Sequence, residues 1–233
     1  MKRRAIIRAA ALGLAATVLA AASPPRANWT ATVTVADDGT HVLGNPKAKV
    51  QLTEFVSYTC PHCATFQKEA DAPLRLLYVR PGTVSVKVHT FVRDPVDLAV
   101  AMLVNCGDTA GFFKRHHAFL HGQDRWLSRM GAMSSAQRQR WYDGEMGPRL
   151  QSVAQDFGFY AMMEQHGVSR IAANRCLADR GLAQKLVAQT EQARALGVNG
   201  TPSFALDGTV LAGTHDWKTL DPQIKARVQT SAR

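Results

Sequence analysis

Cys60 and Cys63 are the residues whose type and spacing point most directly to chemistry. Two thiols separated by two residues can close a small disulfide or supply half of a zinc site. A zinc site wants a second Cys/His pair at similar spacing. The chain offers none, since its other cysteines, Cys106 and Cys176, stand alone and far apart. The flanks favour redox chemistry. Val50 to Tyr58 is apolar and rich in β-branched and aromatic residues, which predicts a buried strand. Ala64 to Arg80 is helix-like. Cys60 therefore falls where a strand hands over to a helix, and Pro61 suits the first helical position, where its missing N–H costs nothing. Free N–H groups and the dipole at a helix start favour an anion. A thiolate at Cys60 is such an anion, so its pKa is expected below that of a free thiol. His62, in the first turn, can add a hydrogen bond or a positive charge. Cys63 lies one turn further in and is expected to be more buried. Cys60 then exchanges with a partner, and Cys63 resolves the mixed disulfide. Stabilising the thiolate stabilises the reduced pair and makes its disulfide a stronger oxidant.

Thr83 to Val92 alternates and reads as a second strand, giving a parallel strand–helix–strand unit. Pro73 is expected to kink the intervening helix. Thr30 to Val35 reads as a short strand or extended arm. From Pro95 the period turns helical. Val96 to Cys106 is almost wholly apolar and predicts a buried helix, and Phe112, Phe113, His116, Phe119 and Leu120 form one stripe. Residues 122–148 are the least readable. Their Trp126, Met130, Met133, Trp141 and Met146 read as a small core of the segment's own. After Pro202, Ser203–Leu206 and Thr209–Ala212 flank Asp207-Gly208 as a hairpin. Trp217, Leu220, Ile224 and Val228 put one apolar face on a last helix, with Asp221 as a candidate N-cap ahead of Pro222.

The 233 residues carry a net charge of +10. Five of the basic residues (Lys2, Arg3, Arg4, Arg8 and Arg26) sit in residues 1–27, where there is no acid. The excess elsewhere is that of a basic surface, and basic runs interleaved with aromatics are lacking, so a nucleic-acid partner is not expected. Residues 1–22 have the form of a signal peptide: a positive start, an alanine–leucine stretch from Ala9, and small residues at Ala20-Ala21-Ala22, with a second cleavage candidate at Ala27. Export places the mature chain in an oxidising compartment, expected to be the periplasm. His89, His116, His117, His121 and His166 show no metal-ligand spacing, and no metal is expected.

The run Glu54-Phe55-Val56-Ser57-Tyr58-Thr59-Cys60-Pro61-His62-Cys63 resembles the active-site segment of the DsbA family of thiol–disulfide oxidoreductases, in which Pro-His is the typical dipeptide between the cysteines. Gly197 to Phe204 resembles the cis-proline loop of thioredoxin-like proteins. The resemblance implies an α/β thioredoxin fold interrupted by an all-helical insertion. Residues 28–94 and 197–233 would form the thioredoxin domain and 95–196 the insertion. It implies a cis Pro202 facing Cys60, with Thr201 binding an extended client strand. It also implies that Glu54 is a buried acid near the resolving cysteine, and that Lys87 is coupled to it in taking and returning protons. Cys106 and Cys176 match positions that some DsbA relatives bridge. An exported protein with an active thiol pair tends not to leave two further thiols free, so a structural disulfide is expected there.

The implied activity is the introduction of disulfides into cysteine-containing exported clients, with a DsbB-type membrane quinone reductase as reoxidant and no dissociable cofactor. Thr201 departs from this pattern. The oxidising members more often have valine, and threonine recurs in isomerases and some reductases, so the direction of electron flow stays open. A reductase or isomerase on the same fold is the alternative, although the separate N-terminal dimerisation domain of an isomerase is not evident. A third reading is a non-catalytic chaperone or maturation module whose cysteine pair is structural.

Overall fold

The computed structural model describes residues 27–231. The expected signal peptide, apart from the cleavage candidate at Ala27, lies outside the described residues. The chain runs β1 (Val33–Val35), β2 (His41–Leu43), β3 (Val50–Val56), α1 (Pro61–Pro73), β4 (Val84–Thr90), α2 (Pro95–Val104), α3 (Phe112–His121), α4 (Gln123–Leu127), α5 (Ser135–Gln139), α6 (Met146–Phe157), α7 (Phe159–Gln165), α8 (Arg170–Leu177), α9 (Arg180–Ala195), β5 (Ser203–Leu206), β6 (Thr209–Val210) and α10 (Trp217–Ser231). The strands form one mixed sheet in the order β1-β2-β4-β3-β5-β6. β3 and β4 are parallel and β5 is antiparallel to β3. This is a thioredoxin fold with a helical insertion between β4 and β5.

Alternation along β3 decides what each face buries. Leu52, Glu54 and Val56 point to one face, under α1, α3 and α10, where Phe66 of α1 packs on Phe204 of β5 and on Trp217 of α10. Phe55 points to the other and joins Phe91, Ala193, Val198 and Ala205, so α9 covers that side. The central strand is thus buried on both faces, which its apolar composition requires.

The helices of the insertion begin where the sequence supplies side-chain caps. Asp94 accepts from the Asp97 N–H at 2.8 Å ahead of Pro95 and α2, and Ser169 and Asp179 do the same for α8 and α9. Gly158 turns α6 into α7 with φ 74°, and an added Cβ would meet the Arg129 guanidinium at 2.5 Å. Cys106, after α2, and Cys176 of α8 are joined by a disulfide with Cα atoms 5.8 Å apart.

Four local expectations change. Only Val33–Val35 pair as a strand, and Trp29–Ala31 coil into a 3₁₀ turn before it. The helix after Cys60 runs on past Pro73 as far as expected, but beyond the proline, where only a kink was expected, it widens into π-helical turns over Leu74–Val79. Wider turns relieve the clash and lost hydrogen bond that proline brings to an α-helix. The last helix starts at Trp217, where Asp216 accepts from the Thr219 N–H at 2.8 Å. Asp221 is not the cap, because its carboxylate accepts from the Tyr78 hydroxyl at 2.5 Å. Trp126 and Trp141 stand edge-on or tilted against Phe157 and Phe159. Residues 122–148 therefore extend the main core instead of forming one of their own.

Candidate active site

The loop Ser57–Thr59 carries the chain from β3 to α1, and three helices of the insertion hold it. Asp97 of α2 is fully buried and accepts from the Ser57 hydroxyl at 2.6 Å and from the N–H groups of Tyr58 at 2.7 Å and Arg93 at 3.1 Å. Asp94 accepts from the Thr59 hydroxyl at 2.9 Å. His116 of α3 bridges the Tyr58 hydroxyl, 3.0 Å from Nδ1, and the Gln67 amide, 3.1 Å from Nε2. Gln123 of α4 donates from Nε2 to the carbonyls of Tyr58 at 2.7 Å and Cys60 at 2.9 Å. Sequence reasoning missed Asp94, Asp97 and Gln123. The Asp-Pro pair at 94–95 signals a cap, but nothing in the sequence says that Asp97 and Gln123 turn inward.

Cys60 occupies the N-cap position of α1 with extended backbone, and Pro61 follows at the first helical position. Both cysteines carry free thiols, so this is the dithiol form. The Cys60 pKa is lowered to about 5. The Cys63 thiol does most, by hydrogen-bonding the thiolate, against the opposing effect of burial; Thr201 and the N–H groups of Cys63 and His62 add to it. His62 thus contributes through its backbone, with its side chain exposed. Cys63 has no exposed surface, and burial first, then the Cys60 sulfur, hold its pKa well above the ordinary thiol range.

The Thr201–Pro202 peptide bond is cis. The Cys60 thiol donates to the Thr201 carbonyl at 3.1 Å, so the loop lies directly against the reactive sulfur. The Thr201 hydroxyl is buried and has no partner among the described residues. It is a donor available to a thiolate at Cys60. The two segments singled out in the sequence therefore meet.

Glu54 and Lys87 do not. In the parallel register Thr53 faces Lys87 and Glu54 faces Val88, so the two side chains emerge on opposite faces of the sheet. Lys87 instead pairs with Asp38 at 3.2 Å. Glu54 is buried without that cation, and burial, with the charge of Asp71, pushes its pKa up to about 8. Its Oε1 has no hydrogen-bond partner among the described residues. The charge of Glu54 also helps to raise the Cys63 pKa, which places the acid within electrostatic reach of the resolving thiol. His117 Nε2 lies 3.5 Å from an Asp71 carboxylate oxygen, and no cluster suited to a metal ion occurs among the described residues.

A strand–loop–helix with a free thiol at the helix start, a second thiol buried one turn later and a cis-proline loop against the first defines a thioredoxin-type thiol site. Sequence comparison agrees. The profile of a thioredoxin family matches residues 36–226, and the chain belongs to that family. The chain is 47% identical to a protein-disulfide isomerase from Novosphingobium aromaticivorans, whose structure superposes with a TM-score of 0.79 over 82% of this chain and 98% of that one. A Rickettsia conorii protein named as a protein-disulfide oxidoreductase is 30% identical over 191 residues, 81% of this chain and 60% of that protein. The chain thus spans about three-fifths of that relative's length. Wolbachia pipientis alpha-DsbA1, at 20% identity and a TM-score of 0.67 over 85% of this chain and 95% of that one, shares the fold.

Proposed function

We propose that the protein is a periplasmic thiol–disulfide oxidoreductase that introduces disulfides into exported proteins. The observation that carries this is the split between the two thiols, Cys60 held near 5 and Cys63 held high. In the disulfide form, a client thiolate attacks the Cys60 sulfur. The Cys60–Cys63 bond breaks, and Cys63 leaves as a thiolate that takes a proton from the Glu54 carboxyl. A second client thiolate then attacks the client's own sulfur in the mixed disulfide and expels Cys60 as a thiolate. The client has lost two electrons, and the protein holds them as a dithiol. The low Cys60 pKa makes Cys60 the better leaving group in that last step and stabilises the reduced protein, so the flow runs from client to enzyme. Reoxidation by a DsbB-type membrane quinone reductase completes the cycle. Cleavage of residues 1–22, or as far as Ala27, would accompany delivery to the periplasm.

The same site supports a disulfide reductase or isomerase, and the 47% identical relative is named as an isomerase. Thiol trapping in cells separates the two. An oxidase is found with Cys60 and Cys63 mostly oxidised, and a reductase or isomerase with both mostly reduced. Equilibration with glutathione gives the potential: a value close to that of strong oxidants supports the oxidase, and one near that of thioredoxin overturns it.

A further inference from the structure

On the Glu54 face of the sheet, between the sheet, α1 and α3, is a cavity of about 20 Å³. It is walled by Glu54, by Gln67 and Asp71 of α1, by Arg75, and by His116 and His117 of α3, with apolar side chains closing the rest. That volume suffices for one water molecule, and the polar lining offers the partners such a water needs. At the inner end is Glu54, whose Oε1 is buried without a partner. At the outer end His117 Nε2 lies 3.5 Å from an Asp71 carboxylate oxygen, with the Asp71 and His117 side chains 25% and 16% exposed. Both are partly exposed, whereas the Glu54 carboxyl is sealed in the core.

Resting on the function proposed above, we propose that the proton exchanged between Glu54 and solvent passes through this cavity by one water to the Asp71–His117 pair. Lys87 cannot serve, since it lies on the other face of the sheet. The titratable groups around Glu54 are Cys63, Tyr58, Asp71, Arg75, His116 and His117. Tyr58 and His116 are buried and hydrogen-bonded to each other, and His116 is also held by Gln67, so neither opens to solvent. Arg75 offers a fixed charge at 4.0 Å from Asp71 and no acceptor. Each turnover balances. When Cys63 leaves as a thiolate it takes the Glu54 proton, and the Glu54 carboxylate regains one from water by way of Asp71 and His117. When Cys63 attacks a mixed disulfide, the same proton travels outward.

The test isolates the step in which Cys63 must lose its proton. Reduced full-length protein is mixed with glutathione disulfide, and decay of the Cys60–glutathione adduct is followed by acid quench and mass spectrometry from pH 5 to 9. Asp71→Asn and His117→Ala are expected to slow that decay at least fivefold near neutral pH. Asp71→Glu should restore it to within twofold, and added imidazole should restore His117→Ala, which a merely altered field would not explain. Alkylation of Cys60 against pH should be the same in all of them. Parent-like decay in both Asp71→Asn and His117→Ala, with Glu54→Gln still slow, overturns the route and leaves the oxidoreductase reading standing. A parent protein that forms no adduct, with Cys60 titrating like an ordinary thiol, overturns both.

Discussion

Cys60 and Cys63 sit three positions apart, yet their surroundings drive their pKa values in opposite directions. Alkylation against pH should show Cys60 titrating near 5, with Cys63 inert until well above the ordinary thiol range. The lowered pKa also has a thermodynamic consequence for the dithiol form. It adds stability that builds as pH rises from about 5 towards the ordinary thiol value near 9, and that is lost as pH falls through about 5. Reduced protein should therefore gain in Tm over Cys60→Ser between pH 5 and 8. Glu54 has the opposite sign. Its pKa is raised to about 8, so the unfolded chain ionises first, and stability is lost as pH climbs from the ordinary carboxyl value towards 8. Glu54→Gln should stabilise the protein by on the order of 3–5 kcal/mol at pH 8 and by nothing at pH 4. Denaturant melts at the two pH values check this, and equal gains at both would refute it.

At the scale of elements, the loop before Cys60 is set by helices distant in sequence. Gln123→Ala would leave the carbonyls of Tyr58 and Cys60 short of a donor, costing about 1–3 kcal/mol. It should also broaden the Cys60 environment, seen as altered amide shifts at residues 57–60; unchanged shifts would mean that α2 and α3 suffice. These contacts mark the limit of sequence legibility. Period and turn chemistry located β3, α1, β4, α2 and the β5–β6 hairpin, because hydrophobic alternation and proline or glycine punctuation are local signals. The thiol pair was legible from its spacing and flanks, and the Thr201-Pro202 loop from its resemblance to the cis-proline loop of thioredoxin-like proteins. Strand register is not local, so the assignment of Lys87 to Glu54 failed: one residue of register sets which face a side chain takes. The inward turn of Gln123 and Asp97 depends on packing between elements that the sequence alone does not dock.

At the scale of the whole molecule, the disulfide between Cys106 and Cys176 closes a loop of sequence separation 70 and ties the end of α2 to α8. The chain-entropy relation assigns it about 4 kcal/mol. The double variant Cys106→Ser/Cys176→Ser should lose stability of that order while its Cys60 titration stays put, because no atom of the bridge touches the site; a shifted Cys60 pKa would contradict this. A separate consequence follows from the contact between the Cys60 sulfur and the Thr201 carbonyl, which spans 141 residues. The strand that closes the second edge of β3 comes directly after Thr201. On a ribosome, Cys60 emerges long before either. At ordinary elongation rates the interval is roughly ten seconds. Through it β3 has one edge open, and its two thiols lack the loop that will later screen them. Until Thr201 is made, the Cys60 sulfur has neither the carbonyl nor the hydroxyl that stand beside it in the folded protein.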